Sequence, residues 1–335
     1  MKAYITAPVT LAMIYRAWSH KSLTPAGIIA ATITAVIHAI HPSNIPFTLL
    51  IVFFLAGTTV TKVKHNVKAR LTIQSTGTSG GEGARTHVQV LANSGVASVL
   101  ILMHVYQLYR REKSGISTGI TKTFPWNRDL LLVGIIANYA AVAADTFSSE
   151  LGILAKSKPR LITSRDFRKV PPGTNGGVTW GGLVAGFFGS MLIVTVAMGL
   201  SFSRNEADMI FENLIEGLPI TEPQFFTWGM TIWGMLGSVL DSLLGGWLQQ
   251  SVVDTRSCRI VEGAGGKSVL LMPTDQTGHS QDKKKEEQPS RKVESGLSIL
   301  DNNEVNFVMA LTMSLGAMGL AAQLWDIPFE SVLKF

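Results

Sequence analysis

Two carboxylates inside apolar stretches are the side chains of this sequence best suited to chemistry. Asp145 lies in ANYAAVAADTFSSELG, where a helix places Ser149 on the same stripe as the carboxylate. Asp241 lies in WGMLGSVLDSLLGGW, with Gly237 one helical turn away. A carboxylate in an apolar helix is costly and usually faces a wet cavity or the interior of a bundle. Each acid therefore predicts a functional site. Its carboxylate is a suitable ligand for a hard cation such as Mg²⁺.

A glycine-rich turn precedes another apolar run and is suited to bind an anion. This turn, GTNGG, consists of Gly173, Thr174, Asn175, Gly176 and Gly177. Its amides and the helix dipole behind it predict a phosphate or nucleotide site, with Lys158, Arg168 and Lys169 supplying positive charge. Together with Asp145 for Mg²⁺ and Glu150 in support, these are the groups that phosphoryl transfer requires.

Each of these features also has a purely structural interpretation. Asp145 could cap a helix or answer a nearby arginine, and Asn-Gly-Gly is a common turn sequence. Basic residues next to apolar runs are expected from membrane topology alone. For Asp241 the structural interpretation is weaker, because a charge buried at depth is expensive to keep without a use.

The composition indicates a membrane protein. The chain has 335 residues, 46% of them hydrophobic and only 16% charged, with a mean hydropathy of +0.27. We expect an all-α, polytopic integral membrane protein with about seven transmembrane helices, or eight if the run near 7–18 also crosses. The predicted spans are 27–41, 46–61, 88–108, 129–147, 177–200, 225–248 and 305–324.

Charge along the chain predicts the orientation of the spans. With these spans, the segments 62–87, 148–176 and 249–304 share one side of the membrane, and the first two are strongly basic. The positive-inside rule therefore places them in the cytosol, although the basic segment 109–128 on the other side argues against it. The net charge of +6 is explained by this topology, so we expect no nucleic-acid partner. An endomembrane location, the endoplasmic reticulum first, is favoured.

The rest of the chain adds two features to this single membrane domain, 1–335. Residues 251–274 contain β-prone runs separated by a glycine-rich turn and predict a small cytosolic hairpin. Residues 275–297 are highly charged and poor in apolar side chains, which predicts a disordered insert. The single cysteine, Cys258, excludes an internal disulfide framework.

Three motifs suggest binding sites but do not fit well. GAGGKS (263–268) ends like a phosphate-binding loop, but its first glycine is too close and a β-prone run follows. His38 and His41 have helical spacing for a metal but no evident third ligand, which favours histidines at the membrane interface. GTSGGEGAR (77–85) lacks the Lys-Ser or Lys-Thr pair and is a secondary anion-site candidate.

Polar side chains at the starts of two predicted spans could line a cavity with Asp145. Gln89 and Asn93 lie one turn apart in the third span, and Asn303 and Asn306 begin the last one. We predict that Gln89 and Asn93, with Ser149, contact a substrate. Hydrogen bonds between helices are an equally good explanation.

Several motifs of this sequence, taken in their order along the chain, resemble those of a known family. They are QVLANSG (89–95), ADTFSSELGIL (144–154), KPRLIT (158–163), RKVPPGTNGGVT (168–179) and GSVLDSLLGG (237–246). The resemblance is to the transmembrane protein 19 family, also called domain of unknown function 92, and it runs from about Leu23 to the last span. This family includes plant phytyl-phosphate kinase. The pattern around Asp145 and GTNGG is also weakly similar to that of the CTP-dependent dolichol kinases.

The resemblance implies a function, which remains an expectation at this point. It implies a membrane-embedded kinase that phosphorylates an isoprenoid monophosphate, prenyl or phytyl, to the diphosphate with CTP or ATP and Mg²⁺. Asp145 would then bind Mg²⁺, Glu150 would support it and Asp241 would position groups in the cavity. Two alternatives stay open: a transporter or lipid carrier without phosphoryl transfer, and a membrane scaffold without activity.

Overall fold

A computed structural model describes residues 3–75, 80, 83–113, 129–201, 222–269 and 291–333. Its helices are α1 (Ala3–Ser19), α2 (Pro25–Ala39), α3 (Ile45–Lys62), α4 (His65–Lys68), α5 (His87–Lys113), α6 (Leu130–Gly152), α7 (Trp180–Ser201), α8 (Glu222–Leu248) and α9 (Asn302–Leu324). Its strands are β1 (Thr72–Gln74), β2 (Arg160–Leu161), β3 (Gly177–Val178), β4 (Ser251–Asp254), β5 (Arg259–Glu262) and β6 (Arg291–Ser295). The fold is thus mainly helical.

Five helices in the described part of the chain are long and apolar enough to cross a membrane. They are α3, α5, α6, α7 and α9, and each overlaps a predicted span. The predicted spans 27–41 and 225–248 are also helical, as α2 and α8, but neither is among the five. The ambiguous N-terminal run forms α1, which packs against α2.

Helix α6 is the centre of the bundle. Every residue from Leu130 to Ala144 is buried, and α3, α5, α7, α8 and α9 pack around it. A helix that is apolar on all sides is stable only when other helices cover its whole circumference. The sequence of α6 therefore requires its central position. This position also places Asp145, which directly follows the buried run, between the surrounding helices.

Small residues let α8 approach α6 closely and set the register between them. A Cβ atom added at Gly237 would lie 2.6 Å from the Cβ of Ala141, and one at Gly234 would lie 2.7 Å from the Cβ of Ala140. Such short approaches are possible only for glycine, as in other membrane helix pairs. Asp145 and Asp241 each lie four residues beyond the Ala141–Gly237 contact, so the same register brings them side by side.

The connections at one end of the bundle build a small sheet. Its strand order is β1-β5-β4-β6, with β1 parallel to β5 and the other pairs antiparallel. Val252, Val261 and Val269 form its own small core. Strands β2 and β3 make a separate two-stranded sheet, with Leu161 paired to Gly177.

The predicted hairpin forms, but from a shorter stretch than expected. Strands β4 and β5 both lie inside the first β-prone run, and their turn closes where the Ser257 amide and hydroxyl donate to Asp254 at 2.9 and 2.6 Å. The Ser257 hydroxyl holds the pKa of the Asp254 carboxyl below its usual range. The glycine-rich segment 263–266 follows the hairpin instead of forming its turn, and the later part of the predicted range, 270–274, lies outside the described residues.

Two predictions are corrected by the structure: the fold is not all-α, and the segment 275–297 is not disordered along its whole length. Arg291–Ser295 form strand β6, an edge strand beside β4, so the end of the predicted insert is ordered. Its polar sequence gave no β signal because an edge strand next to water needs few apolar side chains. Residues 275–290 of the insert lie outside the described residues.

Candidate functional site

A polar cavity of about 440 Å³ lies between the helix ends and the sheet. Its walls come from all three segments that were predicted to share one side of the membrane. The predicted site residues on its wall are Gln89, Asn93, Asp145, Ser149, Glu150, Gly173, Thr174, Asn175, Gly176, Gly177 and Asp241. The fold therefore brings most of the predicted residues together, and their roles stay predictions.

The two predicted intramembrane acids are neighbours in this cavity. The carboxyl groups of Asp145 and Asp241 lie within hydrogen-bonding distance of each other. Once the Asn306 amide is oriented to donate, its nitrogen lies 3.0 Å from Asp241 Oδ1. Two carboxylates this close repel each other, so they share a proton or hold a cation between them.

Glu150 is paired with a cation from the basic segment 62–87. Lys68 forms an ion pair with Glu150, and their side chains are 8% and 13% exposed. The Lys68 ammonium also donates to the carbonyls of Val60 and Thr61, at 3.2 and 2.7 Å. Glu150 thus fastens the end of α6 to the end of α3, which does not support its predicted role beside Mg²⁺.

Arg85 supplies positive charge on the cavity wall. Its guanidinium donates to the Thr61 hydroxyl at 3.1 Å, and it crosses α3 at Gly57, where an added Cβ would lie 3.5 Å from Nη1. The same Cβ position is 3.8 Å from the Thr146 methyl, next to Asp145. Arg85 and Thr146 therefore both approach α3 at Gly57, on the side of α3 that faces the cavity.

The GTNGG turn forms part of the cavity wall, but most of its amides are already used. The amides of Thr174 and Gly177 donate to Pro171 and Thr174 carbonyls, and the Asn175 amide donates to the Ser251 hydroxyl at 2.9 Å. Gly176 has a φ of +78°, and an added Cβ would lie 2.7 Å from the Gly246 Cα. The turn thus docks onto α8 and β4, and only Gly173 and Gly176 are left as amide candidates for an anion.

The three cations predicted to accompany that turn lie elsewhere. Lys158, Arg168 and Lys169 are exposed and are not among the described residues of the cavity wall. Arg168 forms an ion pair with Glu294 of β6 and donates to its carbonyl at 2.8 Å. These residues were predicted as phosphate ligands because they adjoin GTNGG in sequence, but they are not on the cavity wall.

The predicted substrate contacts Gln89 and Asn93 also have structural partners. Gln89 and Thr86 cap α5 reciprocally: the Thr86 amide donates to Gln89 Oε1 at 2.8 Å, and the Gln89 amide donates to Thr86 Oγ1 at 3.4 Å. The Asn93 carbonyl accepts from Asn138 at 2.9 Å. Ser149 donates to the Thr146 carbonyl at 3.2 Å. Their positions on the cavity wall still allow contact with a ligand.

Three helices begin at the cavity. They are α5 behind Thr86, α7 behind Thr179 and α9 behind Asp301, and wall residues belong to the first turn of each. Helix starts carry partial positive charge and favour anions. The carboxylates on the wall are Asp145, Glu150, Asp241 and Glu262, and the permanent cations are Lys68, Arg85 and Lys267. A highly charged phosphate would fit this balance best together with a divalent cation.

The cavity residues suit Mg²⁺ better than a metal held by protein alone. No group of three or more His, Cys, Asp or Glu side chains in the described ranges is placed to hold a metal ion. Mg²⁺ is commonly held by one or two carboxylates, with waters and substrate phosphates completing its shell. Asp145 and Asp241 supply that carboxylate pair.

A second polar cluster lies away from the cavity, around the histidines considered at the membrane interface. His41 and His104 are buried, with 3.0 Å between His41 Nε2 and His104 Nδ1, and His104 Nε2 lies 2.7 Å from Asp129. His38, also buried, lies 2.6 Å from the Tyr139 hydroxyl. Both histidines are therefore covered by protein: His41 contacts α5 and His38 contacts α6, and their depth in the membrane stays a prediction.

Several cavity residues were missed by the sequence analysis. Lys68 carried no local motif, and Arg85 was considered only as the end of the secondary candidate GTSGGEGAR. The Gly263–Ser268 turn was set aside as a poor phosphate-loop match, although it lines the cavity. Gly83 and Ala84 of the secondary candidate GTSGGEGAR also lie on the wall, whereas most of that motif is outside the described residues. One sequence signal could have identified these residues: each of their segments lies directly before or after a helix, at the same end of the bundle.

Comparison with known proteins places the chain in a family. The model of the family described as integral membrane protein DUF92 matches residues 8–314. Protein PGR of Arabidopsis thaliana is 33% identical over 90% of this chain and 89% of its own length. An uncharacterized membrane protein of Methanocaldococcus jannaschii is 34% identical over 43% of this chain and 49% of its own.

A third relative matches a smaller part of the chain. Protein VTE6, chloroplastic, of Arabidopsis thaliana is 26% identical over 52% of this chain and 46% of its own length. No solved structure matches. The family model covers nearly the whole sequence, which agrees with the resemblance found in its motifs. The chain belongs to the DUF92 family of integral membrane proteins.

Proposed function

We propose that the protein is a membrane-embedded kinase that converts an isoprenoid monophosphate to its diphosphate with a nucleoside triphosphate. The observation that carries the proposal is the Asp145–Asp241 pair, which stands in a polar cavity at the ends of apolar helices. This arrangement allows a lipid tail to stay among apolar helices while its phosphate reaches charged side chains. The isoprenoid class comes from the family resemblance described above.

The proposed step is a transfer between two phosphates. An oxygen of the prenyl monophosphate attacks the γ-phosphorus, a new P–O bond forms, and the bond from that phosphorus to the β,γ-bridging oxygen breaks. The products are the prenyl diphosphate and the nucleoside diphosphate. A phosphate monoester is largely a dianion at neutral pH, so its oxygen needs no general base. Catalysis would then rest on alignment and on neutralisation of charge.

The cavity residues divide between these two tasks. Asp145 and Asp241 would hold Mg²⁺, which when bound neutralises phosphate charge. Arg85 would contact phosphate oxygens from the α3 side, and the starts of α5, α7 and α9 would add their partial positive charge. Glu150 and Lys68 would keep α6 and α3 in place around these groups.

The same proposal includes a topology and a location. We propose seven spans, with α2 and α8 crossing the membrane beside the five longer apolar helices. The cavity end, with the sheet, would face the cytosol, where nucleotides are supplied and where the positive-inside rule puts the basic segments. The endoplasmic reticulum remains the favoured membrane.

A transporter or lipid carrier is the second candidate, and one observation favours it. The His41–His104–Asp129 cluster and the His38–Tyr139 pair place buried polar groups away from the cavity. Buried polar chains of this kind occur in proton-coupled transporters. The carboxyl pair would then be a proton site. Phosphoryl transfer is preferred because the cavity also contains Arg85, Lys267 and three helix starts.

The test is product formation in a defined membrane. Purified protein in lipid nanodiscs is given CTP or ATP, Mg²⁺ and phytyl, geranylgeranyl or longer prenyl monophosphates, and lipid products are separated by charge. We expect a prenyl diphosphate from at least one pair, with an equal amount of nucleoside diphosphate. Folded protein that forms no diphosphate across the panel, but moves a prenyl phosphate between leaflets of a vesicle, would establish the second candidate instead.

A further inference from the structure

The glycine turn at 263–268, which the roles above leave unused, has the features of a second phosphate site. It follows β5 directly, and Gly263 to Ser268 all line the cavity. Gly265 and Gly266 have φ values of 66° and 82°, a backbone that other residues rarely adopt. An added Cβ at Gly263 would lie 1.8 Å from the Lys267 carbonyl oxygen, so the turn closes tightly on itself.

The turn is held between the starts of two helices. A Cβ at Gly265 would lie 3.4 Å from the Thr86 methyl, at the cap of α5, and a Cβ at Gly266 would lie 3.3 Å from Asn302 in the first turn of α9. Asn303 donates to the Gly265 carbonyl at 3.0 Å. The backbone of the turn is therefore fixed where two helix dipoles favour negative charge.

Lys267 is the cation of the turn. It is exposed and lines the cavity, and it has no carboxylate ion pair in the described part of the chain. Lys68, by contrast, is neutralised by Glu150, and Arg85 donates to the Thr61 hydroxyl of α3. A flexible ammonium beside a glycine turn binds phosphate as a point charge.

We infer that the turn Gly263–Ser268, with Lys267, binds the phosphates of the donor nucleotide. This inference rests on the proposed kinase function and assigns the donor to the sheet side of its cavity. The sheet lies outside the apolar helices, so a water-soluble nucleotide can reach the turn without entering lipid. The acceptor phosphate then lies on the helix side, near Arg85 and the carboxyl pair.

The test measures nucleotide binding apart from turnover. Full-length protein in nanodiscs is titrated with β,γ-methylene analogues of ATP and CTP in Mg²⁺, and the Kd is measured by equilibrium dialysis. Lys267→Ala should raise the Kd of the bound analogue about tenfold or more, the loss expected for a charge-assisted hydrogen bond. Lys267→Arg should restore most of the affinity. Lys292→Ala removes an exposed lysine of β6 that is not on the cavity wall and should bind like wild type.

A second readout separates the two phosphates. In the transfer assay, Lys267→Ala should raise the KM for the nucleotide and leave the KM for the prenyl monophosphate within twofold of wild type. Wild-type affinity for the analogue in Lys267→Ala, or a change only in the KM for the prenyl monophosphate, would overturn the inference while leaving the kinase proposal standing. Wild-type protein that binds neither analogue and forms no product would overturn the kinase proposal itself.

Discussion

The substitution Glu150→Gln tests whether Glu150, near the C-terminal end of α6, has a structural or a catalytic role. The change removes the negative charge that faces Lys68, whose side chain is only 8% exposed. Breaking a buried ion pair from one side costs about 3–5 kcal/mol, because a charge is left without its partner. Lys68 keeps two carbonyl acceptors, Val60 and Thr61, so we expect a cost at or just below the lower end of that range, about 2–3 kcal/mol.

The double variant Lys68→Met with Glu150→Gln is the matched control. It removes both charges, so no buried ammonium is left unpaired, and most of the lost stability should return. The assay is the thermal midpoint of unfolding in nanodiscs at one fixed scan rate, with the transfer rate per folded molecule measured on the same samples. Glu150→Gln should lower the midpoint by several degrees and leave the rate within about threefold of wild type.

The opposite pattern would refute this reasoning. An unchanged midpoint in Glu150→Gln, with transfer reduced about 10²-fold or more, is the size of effect expected for a group acting on the transition state. Glu150 would then act beside Mg²⁺, as its sequence position had predicted. A double variant less stable than Glu150→Gln would show that the ammonium is held mainly by the helix carbonyls.

Further predictions concern the parts around the cavity. Gly176→Ala should lower stability by about 2 kcal/mol or more in chemical unfolding, since φ is +78° and its Cβ would meet Gly246, whereas Gly199→Ala, with open space around it, should change little. Arg168→Ala should leave nucleotide affinity unchanged in equilibrium dialysis and cost at most about 1 kcal/mol, because its pair with Glu294 is partly exposed. A tenfold weaker affinity would return Arg168 to the phosphate site. Asp129→Asn should destabilise the protein by about 1–3 kcal/mol by weakening the His104 contact, with normal transfer per folded molecule; lost transfer at unchanged stability would instead assign Asp129 a part in the transfer reaction.

The sequence predicted the helices well because their signal is local. A run of apolar residues identifies a membrane-length helix wherever it lies, and all seven predicted spans are helical. Only two of the four strands of the sheet, β4 and β5, were predicted, because the other two have no local signal. Strand β1 has three residues, and β6 is polar, so neither carries a pattern of its own. Their pairing with β5 and β4 depends on segments far apart in sequence.

The candidate site shows the same limit. Asp145 and Asp241 could be selected because a carboxylate in an apolar helix is conspicuous by itself, but their meeting depends on the Ala141–Gly237 packing, which no local pattern reveals. Neighbours in sequence were the main source of error. Lys158, Arg168 and Lys169 were assigned to GTNGG by proximity along the chain, whereas the cavity takes its cations from other segments.

The most direct test of the proposed chemistry is the transfer of labelled γ-phosphate to a prenyl monophosphate by wild type, Asp145→Asn and Asp241→Asn. Asp254→Asn is the matched control, because it makes the same change at an exposed carboxylate in the hairpin turn, outside the cavity. We expect each cavity variant to stay folded but to transfer about 10²- to 10³-fold more slowly, while the control matches wild type. Wild-type rates in both cavity variants would contradict the assignment of the chemistry to this carboxyl pair.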